Sequence, residues 1–258
     1  MLNVDEACEE QSVAGLYQST EVAETYVDKR FTLSWSRLLH ETQASQINRV
    51  IREYQPEMVV EVAPGPARLT TEVRGIQKGV LIEYSQEMLL QAKHRLETAG
   101  LNSLWEVRHG NAFDLEKQPI QCHFLFTFRF IRHFKQEDRG RLYRGIHGCL
   151  KHHGLLMFDV VNRMVRQKLD AKRRSKSAGE LDVYDVTYSA DEFNQEMDDH
   201  GFEVLSLVPV IRHFSFQSWI SYTLDHRIGK RAHNLVRCLE CLPSANPLEW
   251  IALCRKVE

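Results

Sequence analysis

VVEVAPGPARLT, residues Val59 to Thr70, joins an apolar run to a carboxylate, Glu61, and then to a loop of small residues, Ala63-Pro64-Gly65-Pro66-Ala67. This order predicts a strand, a loop that lets a ligand approach the backbone closely, and a following helix. In an open parallel sheet such a loop lies at the carboxyl edge of the strands, where ligands bind. The second apolar run, GVLIEY, brings a second carboxylate, Glu83, to the end of its strand, 22 positions beyond Glu61. A carboxylate at that distance, at the end of the second strand, is placed to accept the hydroxyls of a ribose. After a third run, LWEVRHG, comes HGNAFDL, in which Asn111 can meet an adenine amino group and Phe113 can lie against its ring.

The alternation continues along the chain. Apolar runs at 57–63, 79–84, 104–110, 122–128, 154–161, 202–211 and 248–257 read as seven strands, five of them followed by helices. The fold class is therefore α/β, a Rossmann-like doubly wound sheet covered on both faces. Met88, Leu89, Ala92 and Leu96 share one helix face behind an N-cap at Ser85. Ser189 and Glu192 have capping-box spacing, and that helix should stop at Gly201. Residues 1–56 form an N-terminal helical cover in which Trp35, Leu38, Leu39, Thr42, Gln46, Val50, Ile51 and Tyr54 trace one stripe. Residues 57–162 are the core. Residues 163–258 add a basic insertion or lid, RMVRQKLDAKRRSK, and the last two strands, which are too far apart for a hairpin turn.

Composition narrows the classes. With 33 Lys+Arg against 35 Asp+Glu the formal charge is −2, so no strongly basic surface invites nucleic acid. The longest run without Lys, Arg, Asp or Glu is His213 to Leu224, shorter and more polar than a membrane span of about 20 apolar residues. The acidic N-terminus does not read as a signal peptide, and the expected place is the cytoplasm. Six scattered cysteines suit reduced thiols. Cys238 and Cys241, with Leu235, Leu239 and Leu242, fit an apolar helix face; together with His226 and His233 they make only a weak zinc set, so no metal is expected.

The ordered set EVAPGPA, LIEYSQEML, GNAFDL, FLFTFRFIRHF and LKHHGLLMFDVVN resembles the motifs of the class I S-adenosylmethionine-dependent methyltransferases, over roughly residues 55–162. The small-molecule type, as in quinone and polyketide tailoring enzymes, is the most similar. Ala63 and Ala67 stand where the family's first motif has its first and third glycines, and Asn111 where it has an aspartate. The resemblance implies S-adenosyl-L-methionine as cofactor, with Glu61, Ala63, Gly65 and Ala67 at its methionine part. Glu83, with Tyr84 and Met88 beside it, would serve the ribose, and Asn111, Ala112 and Phe113 the adenine. Phe128 would stand where cofactor and substrate meet. Tyr17 and Tyr26 resemble the family's first helix, whose tyrosines close over the methionine end. Tyr26 is then a catalytic candidate and Tyr17 a substrate contact.

The tetrapeptide Ile-Arg-His-Phe occurs at 131–134 and again at 211–214, each just beyond a predicted strand. With Arg129, the residues Arg132, His133, Arg212 and His213 could surround one pocket for an acidic small molecule. Guanidinium groups grip carboxylates or phosphates, and a histidine can take a proton near neutral pH. Arg129 and His133 are the catalytic candidates, with His133 as base. Arg132, Arg212 and His213 are the substrate contacts. O- or N-methylation is favoured. Two other readings compete: a degenerate fold kept as a scaffold, and an RNA methyltransferase that uses the basic insertion. Long connections are compatible with a homodimer.

Overall fold

The structure, a computed structural model, describes residues 31–174 and 184–257. Tyr17 and Tyr26 lie outside the described residues. The elements are α1 (Ser34–Tyr54), β1 (Met58–Val62), β2 (Lys78–Glu83), α2 (Gln86–Thr98), β3 (Trp105–His109), β4 (Cys122–Thr127), α3 (Gln136–Cys149) and β5 (Leu150–Asn162). There follow α4 (Arg163–Arg174), β6 (Thr187–Tyr188), α5 (Ala190–Asp199), β7 (Phe202–Val210), α6 (Phe214–Ile228), α7 (Lys230–Glu240) and β8 (Glu249–Lys256).

One sheet runs in the order β3-β2-β1-β4-β5-β8-β7, with the two-residue β6 added to the end of β5. The seven strands read from the sequence are all present, and β6 is an eighth. Strands β1 to β5 are mutually parallel, while β8 is antiparallel to both β5 and β7. Strand β7 therefore points the same way as β5. The first residue of β8, Glu249, stands opposite Val161 and Val210 at the carboxyl edge.

The central strands are apolar on both sides, as a covered parallel sheet requires. Val59, Leu81, Phe126 and Met157 face α1, α2, α6 and α7; Val60, Val80, Leu125 and Leu156 face α3 and α5. The long β7–β8 connection is the helical pair α6–α7, which folds back onto α1. Ser85 caps α2, the Ser189–Glu192 box opens α5, and Gly201 follows the end of α5 at φ +75°. No helix among the described residues is long and apolar enough to cross a membrane.

Three expectations need correction. The chain after Gly65 forms turns and one 3-10 turn, Thr70–Glu72, instead of a helix. Ala63, Gly65 and Ala67 are left-handed and Pro64 and Pro66 lack N–H donors, so only a short stretch before the left-handed Gly75 could coil. The buried stripe of α1 uses Gln43 and Ile47, whereas Thr42 and Gln46 are half-buried and Tyr54 is exposed. Gln43 is drawn inward because its amide oxygen accepts from Arg68. On α7 the core face is Ala232 and Val236; Cys238, Cys241, Leu235 and Leu242 are exposed.

Candidate functional site

The carboxyl ends of β1 and β2 are locked together by one side chain. Glu83 accepts from the backbone N–H of Gly65 through Oε2 at 2.9 Å and of Ser85 through Oε1 at 2.8 Å. Ala63 N–H donates to Ile82 O at 2.9 Å, so the loop is held from both sides. Burial raises the Glu83 pKa, and the N–H groups of Ser85, Gly65 and Tyr84 work against that rise. The Gly65 position faces Met88, whose Sδ lies 4.0 Å from where a Cβ would stand. Beyond β3, Gly110 N–H reaches Glu83 O, and Asn111 Oδ1 accepts from Phe113 N–H at 3.0 Å. Ala112 and Phe128 are buried; the Tyr84 ring is half exposed and stacks on His109 at 6.0 Å. The ring of Phe113 packs on Phe134 and under Arg141.

Glu61 is buried at the end of β1, where Thr70 Oγ1 donates to it. Burial pushes its pKa up to about 8, against the opposing Thr70 hydrogen bond and Arg68 charge. Arg68 connects this loop to α1: it donates to Gln43 Oε1 at 2.9 Å, meets the His40 ring nitrogen, and lies 4.2 Å over the Phe31 ring. Burial and the Arg68 charge hold His40 down to about 4, so this histidine accepts as a neutral ring. An acid whose pKa is raised on folding binds a proton that the unfolded chain has released. Stability should therefore fall as pH rises between the two values, with a limiting slope of about 1.4 kcal/mol per pH unit. Urea melts of wild type and Glu61→Gln between pH 6 and 9 check this. The variant should lose most of the slope, and an unchanged slope would clear Glu61 of it.

The turn after β4 carries the first Ile-Arg-His-Phe. Arg132 is buried and closely partnered: Nη1 meets Asp159 at 2.8 Å and Glu249 at 3.2 Å, and Nε meets Asp185 at 2.9 Å. His133 Nδ1 stands 3.0 Å from Asp185 Oδ1 and 3.1 Å from Tyr184 O, while its Nε2 is buried with no partner among the described residues. Arg129 adopts φ +59°, its N–H donates to Asp159 Oδ1 at 2.6 Å, and its Nε is buried with no acceptor among the described residues.

The second copy sits elsewhere. It follows β7, three strands from β4 in the sheet order, which is about 14 Å at normal strand spacing. Arg212 N–H donates to Glu240 and its Nε lies 4.0 Å from the same carboxylate; His213 Nε2 meets Leu242 O. The two copies share the carboxyl edge but not one cluster. Sequence reading missed Asp159, Asp185 and Glu249. Asp159 in GLLMFDVV and Glu249 in LEWIALC carried a signal, a single carboxylate inside an apolar strand, as at Glu61. Asp185 carried none.

Residues 59–154 match the family model for a methyltransferase domain. The chain carries a methyltransferase domain. No curated protein sequence matches it. Solved structures share its fold at low identity. Magnesium protoporphyrin IX methyltransferase from Synechocystis PCC 6803, with bound SAH, has a TM-score of 0.60 at 8% identity, covering 86% of this chain and 85% of that one. The DhpI–SAH complex has a TM-score of 0.57 at 14% identity, covering 95% of both chains. Mitomycin 7-O-methyltransferase MmcR has a TM-score of 0.56 at 15% identity; the match covers 84% of this chain and 53% of that one.

A methyltransferase domain of this fold implies S-adenosylmethionine as its cofactor, and the residues fit it. The three left-handed loop positions carry nothing larger than a methyl group. A carboxylate offers about four lone-pair positions. At Glu83 the backbone N–H groups of Gly65 and Ser85 use two of them, leaving room for a ribose hydroxyl.

Proposed function

We propose that this methyltransferase domain moves a methyl group from S-adenosylmethionine to an oxygen or nitrogen of a small molecule that carries an acidic group. The observation that carries the cofactor half of this reading is Glu83, fixed by Gly65 and Ser85 N–H at the mouth of the Ala63-Gly65-Ala67 loop. Glu61 and that loop would hold the methionine part, Glu83 with Tyr84 and Met88 the ribose, and Asn111, Ala112 and Phe113 the adenine side. Phe128, the residue after β4, would stand between cofactor and acceptor.

For the acceptor half, methyl transfer from a sulfonium needs alignment and, for an O–H or N–H nucleophile, removal of a proton. His133 suits the second task. Asp185 beside Nδ1 favours the tautomer in which Nε2 carries the lone pair, and Nε2 has no partner among the described residues. Arg129 suits the anion, because its Nε has no acceptor there, whereas Arg132 is held by three carboxylates and Arg212 by Glu240.

The test is calorimetric titration of the folded chain with S-adenosylmethionine and S-adenosylhomocysteine. Micromolar binding of both is expected. A sample with a cooperative melt that binds neither would sink the enzyme reading and leave the scaffold reading in its place.

A further inference from the structure

Two groups of opposite charge at the carboxyl edge are incompletely partnered. Glu249 is 3% exposed; Oε2 accepts from Arg132 at 3.2 Å, and Oε1 has no partner among the described residues. Arg129 stands on the other side of Asp159, which accepts the Arg129 N–H on Oδ1 and Arg132 Nη1 on Oδ2. Asp159 and Arg132 thus link Arg129 to Glu249, and burial with the Asp159 charge pushes the Glu249 carboxyl up to about 7 against the opposing Arg132 and Arg129 charges.

An unmet buried polar group costs about 1–3 kcal/mol, and more when charged. A left-handed non-glycine residue such as Arg129 costs about 1–2 kcal/mol more. Strain and unmet charge gathered at one sheet edge are what a site has when a ligand completes it. Arg132 needs nothing from such a ligand, because three carboxylates already surround it. Arg129 lacks an acceptor at Nε, and Glu249 lacks a donor at Oε1.

We propose that Arg129 and Glu249 are the two poles of the site for the methyl acceptor, and that this acceptor is an acid that also carries a hydroxyl or an amino group. The inference rests on the function proposed above and adds to it the group that recognises the hydroxyl or amino end of the acceptor. Arg129 holds the anionic group, and Glu249 Oε1 accepts the O–H or N–H hydrogen bond that orients the acceptor atom before its proton passes to His133.

The experiment is ligand-observed NMR titration of the full chain saturated with S-adenosylhomocysteine. The probes are the three hydroxybenzoates and the three aminobenzoates, which vary the distance between the acid and the second group, with benzoate, phenol and aniline as controls. At least one isomer should bind about tenfold more tightly than benzoate, a difference of about 1.4 kcal/mol. Arg129→Gln should reduce that isomer to the level of phenol or aniline, and Glu249→Gln to the level of benzoate. Glu249→Asp keeps a charge beside Arg132 and should retain part of the preference, which separates lost recognition from lost folding. Benzoate binding as well as every isomer, or no isomer binding at millimolar concentration, overturns the proposal. Binding of S-adenosylhomocysteine in the same samples reports separately on the cofactor reading. If it fails, the same titration of the cofactor-free chain decides the acid site alone.

Discussion

Arg132→Leu should destabilise the fold by about 3–5 kcal/mol at pH 8, because it leaves buried carboxylates without their cation. Arg132 bridges Asp159, Asp185 and Glu249, which come from β5, the segment before β6, and β8. Burial alone would raise Asp185, but hydrogen bonds from His133 and Arg132 hold it well below the usual carboxylate range. An acid with a depressed folded pKa stabilises above its unfolded value, about 4, and loses that contribution as pH falls. Without Arg132 the sign reverses at Asp185, whereas burial already pushes Glu249 up to about 7 in the wild type. Burial then dominates, the carboxyl groups titrate above their unfolded values, and the variant regains stability as pH falls toward 5. The gap between wild type and variant should therefore narrow from pH 8 to pH 5 in urea melts. A constant gap, or one below about 1 kcal/mol at pH 8, would mean that the cluster is not held by Arg132. Arg132→Lys should recover little, because one ammonium cannot reproduce the paired Nε and Nη2 contacts to Asp185 together with the Nη1 contacts to Asp159 and Glu249.

The strands were legible because a covered parallel sheet writes itself as apolar runs. Every run from Met58 to Lys256 appears within a residue or two, apart from β5, which begins four residues early at Leu150. The caps at Ser85 and Ser189 were legible because capping is local chemistry. What misled was equally local. The run after Gly65 looks helical by composition, yet the left-handed Ala67 and the prolines deny it the backbone. The arginines looked alike in sequence because only tertiary contacts separate them. Arg132 meets residues 27, 53 and 117 positions away, Arg212 meets Glu240, and Arg129 Nε meets no acceptor among the described residues. Asp185 gave no signal since its role depends on β6 returning to the end of β5, a two-residue pairing that no periodicity announces.

Glu83→Gln should weaken S-adenosylhomocysteine binding about 100-fold while leaving the melt cooperative. The carboxylate faces only donors in the protein, the N–H groups of Gly65 and Ser85, and in the proposed complex it also faces ribose hydroxyls. An amide of the same size must turn one NH2 toward a donor, so it either releases Gly65 and loosens the loop or releases Ser85 and loosens the start of α2. Each hydrogen bond to a charged group contributes about 1.5–3 kcal/mol, and 2.7 kcal/mol corresponds to about 100-fold. Ser85→Ala is the matching control. It removes the hydroxyl that caps α2 through Met88 N–H but keeps the backbone donor to Glu83, so it should cost about 1 kcal/mol of stability and leave affinity unchanged. If Glu83→Gln binds within about threefold of wild type, the ribose is held elsewhere and Glu83 only ties β2 to the loop. If both variants lose affinity equally, it is the order of the α2 start, not the carboxylate, that the cofactor needs.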